Sequence, residues 1–489
     1  MSATIGTPAR YRYMVFPAMA LLWVLFKWAY PFADFYIDSY TYIQAAADHD
    51  AISYRPIGYS IFLRLVHTIS RSDTVLVTIQ FGLIQSSCWL LFRFLCRCCP
   101  PGRWARVLIA VFLVLDAPVY YISNCVSSDA LFIALSLFWF TALLQLVHRP
   151  GWRILIVQWV LLLLIFYTRY VALFYPVVAA ITCFRLRRDL FFRLAAIAGS
   201  AAVVTAGVLY TRAVTEKETG APVFSAFSGW QIANNALHIY PWLPVDTTGL
   251  PPATRALAGY VDRYFSREGD SVKKAPWGFG TAYMWERSSP LHRYLDDYLR
   301  RGSGLRKEPD TAELTYFTAW HRVAPVFSQY GYLLLRRHPA AFCRYYLWPS
   351  AVNFVQSPLE VLGTYNEGKK EVDTAARDWF GYRSTLLVVC SATLQGKVCA
   401  VFPGLSIGLY AICLPVAVIF GVRRELRRSL PVFIDFFRVA GIYLLVNACF
   451  TIFASPSVYR YQVLPLILLF IFTTSGLFFV TYRKQQRHG

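Results

Sequence analysis

Apolar residues in this chain come in long runs separated by short loops rich in Arg, the pattern of helices buried all round rather than of amphipathic surface helices. The runs predict membrane-spanning helices at about 13–30, 74–95, 107–121, 129–147, 154–168, 171–184 and 194–210, and again at 398–421, 430–453 and 463–482. Between 211 and 397 charges, Pro, Gly and Trp become frequent, and no run of the roughly 20 apolar residues that cross a bilayer occurs. Helices are expected there at 291–301, 311–337 and 340–354, with His338-Pro339 breaking the pattern. The expected fold is an all-α integral membrane protein of ten spans. It would comprise an N-terminal module at 1–210, a helical extracytoplasmic region at 211–397 and closing spans at 398–489. Arg10 and Arg12 lead into the first span with no small-residue cleavage site before Asp34, as in a signal anchor.

Charge fixes the expected orientation. Arg93, Arg97, Arg103 and Arg106, then Arg185, Arg187, Arg188 and Arg193, then Arg423, Arg424, Arg427 and Arg428 lie in loops that the positive-inside rule puts in the cytoplasm with both termini. The loop 31–73 and the region 211–397 then face outward. The chain is 57% hydrophobic and only 15% charged, against about 25% in soluble proteins. Its net charge of +21 sits mostly in those short loops, where it suits anionic lipid headgroups, so a nucleic-acid partner is excluded and membrane lipids are expected. Most of the eleven Cys lie within apolar runs as small hydrophobes. Cys390 and Cys399 fall on the outer side, where a disulfide is open to them, although spacing alone does not decide it.

The candidate chemistry gathers at the outer ends of the spans. Asp34 and Asp38 follow the first span; the sequence predicts a helix over 38–47 and an amphipathic interfacial helix over 55–68, with Pro56 in its first turn. The other outer ends carry Arg55, Tyr59, Ser128, Asp129, Arg169 and Tyr459-Arg460-Tyr461. Acids at the edge of the bilayer are costly unless solvated, paired or used. Arg binds phosphate oxygens bidentately, and a carboxylate can accept the proton of an attacking hydroxyl. Plainer roles stand beside these. Asp38 suits a helix N-cap, Asp34 a solvated position, Asp129 a helix start, Arg169 and Arg460 snorkelling, and Arg55 an interfacial anchor. Asp116, deep in the third span, suits a hydrogen bond to a neighbouring helix, and Asp48-His49-Asp50 a solvated turn rather than a metal triplet.

Asp38-Ser39-x-x-Tyr42 with Ala46, Arg55-Pro56-x-Gly58-Tyr59, Ser128-Asp129, Arg169, and Arg460-Tyr461 with Pro465 together make the chain resemble the GT-C membrane glycosyltransferases. That group includes the protein O-mannosyltransferases and the lipid A aminoarabinose transferases. The resemblance covers residues 1 to about 210 and the last span; 211–397 lies outside it. It implies a GT-C-like fold in the plasma (inner) membrane. It also implies transfer of a sugar, with inversion, from a polyprenyl-phosphate donor to a glycan, lipid or protein acceptor on the extracytoplasmic face. Asp38 would be the general base and Asp34 its alternative. Arg460, Arg169 and Arg55 with Tyr461 would hold the donor phosphate, and Asp129 and Tyr59 the acceptor or a metal. No cofactor is implied with certainty. Many relatives carry paired adjacent acids where this chain has Asp38-Ser39, which leaves a divalent metal open. Two other functions are weighed against this one: a ligase or polymerase using a diphosphate donor, and a flippase of lipid-linked sugars. The flippase would need polar groups or broken helices near the midplane.

Overall fold

The computed structural model describes residues 9–245, 249–274, 280–304 and 315–485. Among them every regular element is helical, and the only β pairings are two isolated bridges, Asp34 with Cys125 and Glu371 with Leu386. Seven helical stretches are long and apolar enough to cross a membrane: Asp73–Cys98, Arg103–Asn124, Ser128–His148, Leu190–Thr219, Leu394–Val422, Pro431–Ala454 and Tyr459–Thr481, of which Arg103–Asn124 and Leu394–Val422 are each two successive helices. The fold is therefore all-α, with the build of a multi-pass membrane protein. Three further expected spans coincide with shorter apolar helices, Met14–Ala29, Trp152–Thr168 and Tyr170–Cys183, and the count of ten rests on these three.

The chain divides into two compact units. One comprises Met1–Val204, Val355–Asn447 and Val458–Gly489; the other comprises Thr205–Phe354 and Ala448–Ser457. Residues 355–397, grouped by hydropathy with the polar region, thus belong to the first unit.

In the first unit the chain forms α1 (Ala9–Ala29), α2 (Ile37–Ala47), α3 (Gly58–His67) and α4 (Asp73–Cys98). It continues as α5 (Arg103–Leu115), α6 (Ala117–Asn124), α7 (Ser128–His148), α8 (Trp152–Thr168) and α9 (Tyr175–Cys183), and later α10 (Tyr459–Gln485). The expected span 107–121 is two helices rather than one. Pro118, which has no backbone N–H, sits in the first turn of α6, and Asp116 stands at the break. Asp116 is buried there and lines an apolar groove. The centre of the unit is aromatic: Trp139 and Phe140 of α7 and Tyr175 of α9 are fully buried with Tyr443, and the Tyr175 hydroxyl donates to Ser136 Oγ at 2.7 Å.

Two devices position the first outer loop. The segment after α1 is clamped by a short β bridge, in which Asp34 N–H donates to Asn124 O at 2.8 Å and Val126 N–H to Asp34 O at 3.0 Å. Ala33 N–H donates to Asp73 Oδ2 at 2.7 Å, and the Tyr365 hydroxyl donates to Ala33 O at 2.7 Å. The second device is Gly58. A Cβ at this position would lie 2.5 Å from Tyr167 O and 2.6 Å from Tyr167 C, so α3 meets the end of α8 backbone to backbone. Gly58→Ala should therefore cost about 1–3 kcal/mol of stability, as overpacking against unyielding atoms does. Thermal unfolding in detergent checks this, and a variant as stable as the parent would mean that the two helices have room to part.

The second unit holds Ala226–Leu237, Pro252–Lys274, Pro290–Gly304 and Tyr316–Arg337, and the chain stays helical through Pro339–Phe342, a π-helical Cys343–Leu347 and Trp348–Val355. The expected helices at 291–301, 311–337 and 340–354 are thus all present; residues 311–314 lie outside the described residues. The helix does end at Arg337, before Pro339. Trp230 and Trp320 stack at 3.7 Å in its core, and His238, hydrogen-bonded to Gly280 O at 3.1 Å, has its pKa lowered by burial to about 4, so it is a neutral core residue. The Cys390 and Cys399 thiols are both free, with Cys390 exposed and Cys399 buried, so the disulfide open to them in the sequence is not formed.

Candidate active site

Six separated stretches of the first unit bring their charges to one place. Asp38 lies in the first turn of α2, Asp129 in the first turn of α7, and Arg460 is the second residue of α10. Three helix N-termini thus meet, and the partial positive charge of each favours anions. Arg55 enters from the turn before α3, and Arg169 is the residue that ends α8 in extended conformation.

Arg460 is the hub. Its Nη1 lies 3.3 Å from Asp129 Oδ2 and 3.7 Å from Asp38 Oδ2, and its Nε donates to Glu360 Oε2 at 3.1 Å. Nη1 also donates to the Tyr36 hydroxyl at 2.7 Å, and that hydroxyl donates to Asp129 Oδ2 at 3.1 Å. Arg169 donates to the other Asp129 oxygen. Arg55 Nη2 donates to Asp38 Oδ1 at 2.6 Å. The Tyr461 ring underlies both central cations, 4.8 Å from the Arg169 guanidinium and 4.9 Å from that of Arg460. Tyr461 therefore meets the arginines through its ring face, a cation–π platform that holds them close despite their like charge. Burial raises the Tyr36 phenol well above its ordinary range, with Arg460 opposing, so it serves as a neutral hydrogen-bond donor.

The carboxylates differ in how firmly they are held. The Asp129 side chain is 5% exposed and has four polar partners: Arg169, Arg460, Tyr36 and Ser127 Oγ. Asp38 is 16% exposed between two arginines. It is not the helix cap: Tyr36 occupies that position, its N–H donating to Ser39 Oγ at 3.1 Å. Glu360 is 44% exposed. Three guanidiniums thus face three carboxylates, and the cluster is formally neutral as it stands.

Two expected site residues serve the scaffold instead. Asp34 is buried rather than solvated. It accepts from Asn366 N–H at 2.7 Å, from Gln395 Nε2 at 3.3 Å and from the Cys125 thiol at 3.7 Å. Burial raises its carboxyl to about 7, against the pull of those donors. Its bonds fix the loop and leave it no place among the arginines. Tyr59 is buried too. Its hydroxyl donates to Gln80 Oε1 at 2.7 Å, and the Gln80 amide donates to the Ser123 and Cys125 carbonyls at 2.8 and 3.0 Å. Its ring packs edge-on against Tyr42, whose hydroxyl donates to Ser128 Oγ at 2.9 Å and so ties α2 to α7. Tyr59 braces the site from behind.

Glu360 and Tyr36 are the members of the cluster that the sequence does not single out. Tyr36 had a signal, since it lies between two acids already singled out. Glu360 had none, being in a polar region without periodicity. Among the described residues no three His, Cys, Asp or Glu side chains are grouped to hold a metal ion. In the Asp48-His49-Asp50 turn, Asp48 accepts from Gln44 at 2.5 Å and His49 meets Arg64 at 2.9 Å.

An arrangement of this kind can bind an anion through preorganised guanidinium forks and holds carboxylates beside it that can accept a proton. No protein family, curated protein or solved structure matches this chain.

Proposed function

We propose that the protein is a GT-C-type membrane glycosyltransferase that takes a sugar from a polyprenyl-phosphate donor. The observation that carries the reading is Arg460, at the start of an apolar helix with Arg169 and Arg55 nearby and next in sequence to Tyr459, which lines an apolar groove. The groove is lined by Leu108, Phe112, Phe402, Leu405, Tyr459 and Phe470 among others. A lipid phosphate has the matching build, an anionic head for the guanidiniums and a hydrocarbon chain for the groove.

In this reading an acceptor hydroxyl attacks the anomeric carbon. The bond from that carbon to the phosphate oxygen breaks, the phosphate leaves with the electron pair toward the arginines, and the hydroxyl proton passes to Asp38. Arg55 orients the Asp38 carboxylate, and Asp129 with Tyr36 keeps Arg169 and Arg460 in place.

The test is donor choice by the purified protein. Release of polyprenyl phosphate from a monophosphate-linked sugar is the expected result. Release only from a diphosphate-linked donor would replace this reading with the ligase, and transport without release would replace it with the flippase.

The reading also sets the topology at ten spans with the site outside. A Cys introduced at Glu425, in a background whose exposed native cysteines are replaced by Ser, should resist a membrane-impermeant maleimide added from outside. Labelling there would invert or break the topology.

A further inference from the structure

A neutral, largely buried cluster has no charge to spare for a phosphate. If a lipid phosphate bound while all three carboxylates stayed, anionic groups would outnumber the guanidiniums, with little water to screen them. One carboxylate has to withdraw, and the three are not equally able to. Asp129 is 5% exposed and held by two arginines, a tyrosine and a serine, and Asp38 sits in a helix between two arginines. Glu360 is 44% exposed, and among the described residues its ion pair is with Arg460 alone. Its backbone is also in the left-handed region, at φ +50°, which is uncommon for a residue with a side chain. Its segment is joined to α10 by a separate contact, Tyr459 N–H donating to Pro358 O at 2.8 Å, so the side chain can turn to water without the segment letting go.

We infer that Glu360 is a resident internal ligand of Arg460, holding the guanidinium in place while the site is empty and yielding its seat on Nε to the phosphate of an arriving lipid. The inference rests on the lipid-phosphate reading of this site and adds to it a residue that sets donor affinity by competing for Arg460. Without Glu360 the guanidinium would still face Asp129 and Asp38 through Nη1, but its Nε would lose its carboxylate partner.

The experiment titrates n-dodecyl phosphate into the purified full chain in dodecyl maltoside and follows binding by calorimetry. Parent, Glu360→Gln, Glu360→Ala and Arg460→Lys are compared, with thermal unfolding confirming that each is folded. Glu360→Gln keeps size and a hydrogen-bond acceptor for Nε but removes the competing charge, so it should bind roughly tenfold tighter than the parent, equivalent to about 1.4 kcal/mol. Glu360→Ala should tighten binding as well, and Arg460→Lys should weaken it through loss of the fork. Binding in the Glu360 variants equal to or weaker than the parent's, with Arg460→Lys still weakened, would overturn the internal-ligand role and leave the phosphate site standing. Absence of binding in the parent and in every variant would overturn the phosphate site itself, and this inference with it.

Discussion

Asp38→Asn should reduce turnover by roughly 10²–10⁴-fold, the usual worth of a general base, while protein yield and melting temperature stay close to the parent's. The substitution is clean because Asp38 is not the cap of α2; that position is Tyr36. An Asn oxygen can still accept from Arg55 Nη2, now 2.6 Å from the carboxylate, so the local geometry survives and only the proton-accepting charge is lost. Arg55 is 19% exposed and retains some solvation when its counter-charge goes. Asp34→Asn made in parallel should turn over normally, because Asp34 is bonded to Asn366, Gln395 and Cys125 and not to the arginines. Single-turnover assays with donor bound separate this effect from a change in affinity. Parent-like turnover in Asp38→Asn would remove the base from the mechanism.

The second large effect is on stability. Asp129→Asn leaves Arg169 and Arg460 buried beside a neutral amide, and breaking a buried ion pair from one side costs about 3–5 kcal/mol. The double variant Asp129→Asn/Arg169→Gln should lose less than the sum of the two single variants, because removing both partners leaves fewer unmatched charges. Chemical denaturation in detergent reads all three, and strict additivity would mean that the pair is not coupled. The same reasoning makes Arg460→Ala a poor probe of binding. It strips three carboxylates of their common partner, so lost activity would mix misfolding with lost affinity. Arg460→Lys keeps the charge and is the better choice.

How much of this was legible depends on how far each feature reaches along the chain. The long apolar runs announced their helices, because hydrophobic length is a local property; the break at Asp116 was hidden inside such a run, with Pro118 as its only mark. The meeting of Asp38, Arg55, Asp129, Arg169 and Arg460 was legible because membrane topology sorts loop ends onto one face. Asp34 was misplaced for the opposite reason. A loop acid reads as solvated, and what buries it comes from Asn366 and Gln395, 332 and 361 residues away. Glu360 was illegible on two counts. Its region has no helical or strand period, and its left-handed backbone carries none of the Gly or Asn that signals such a turn. Gly58 stood out as part of a motif, but its reason, the close approach to Tyr167 backbone, exists only in three dimensions.

On the proposed function, the Arg460 cluster seats the phosphate of a lipid carrier. A cryo-electron microscopy map of the full chain in nanodiscs, prepared with a polyprenyl phosphate, would locate that phosphate. The expected map has phosphate density within hydrogen-bond distance of Arg460, the carrier chain along the groove beside Tyr459, and the Glu360 side chain turned away. Headgroup density elsewhere on the protein, with all three carboxylates still paired to Arg460, would contradict it.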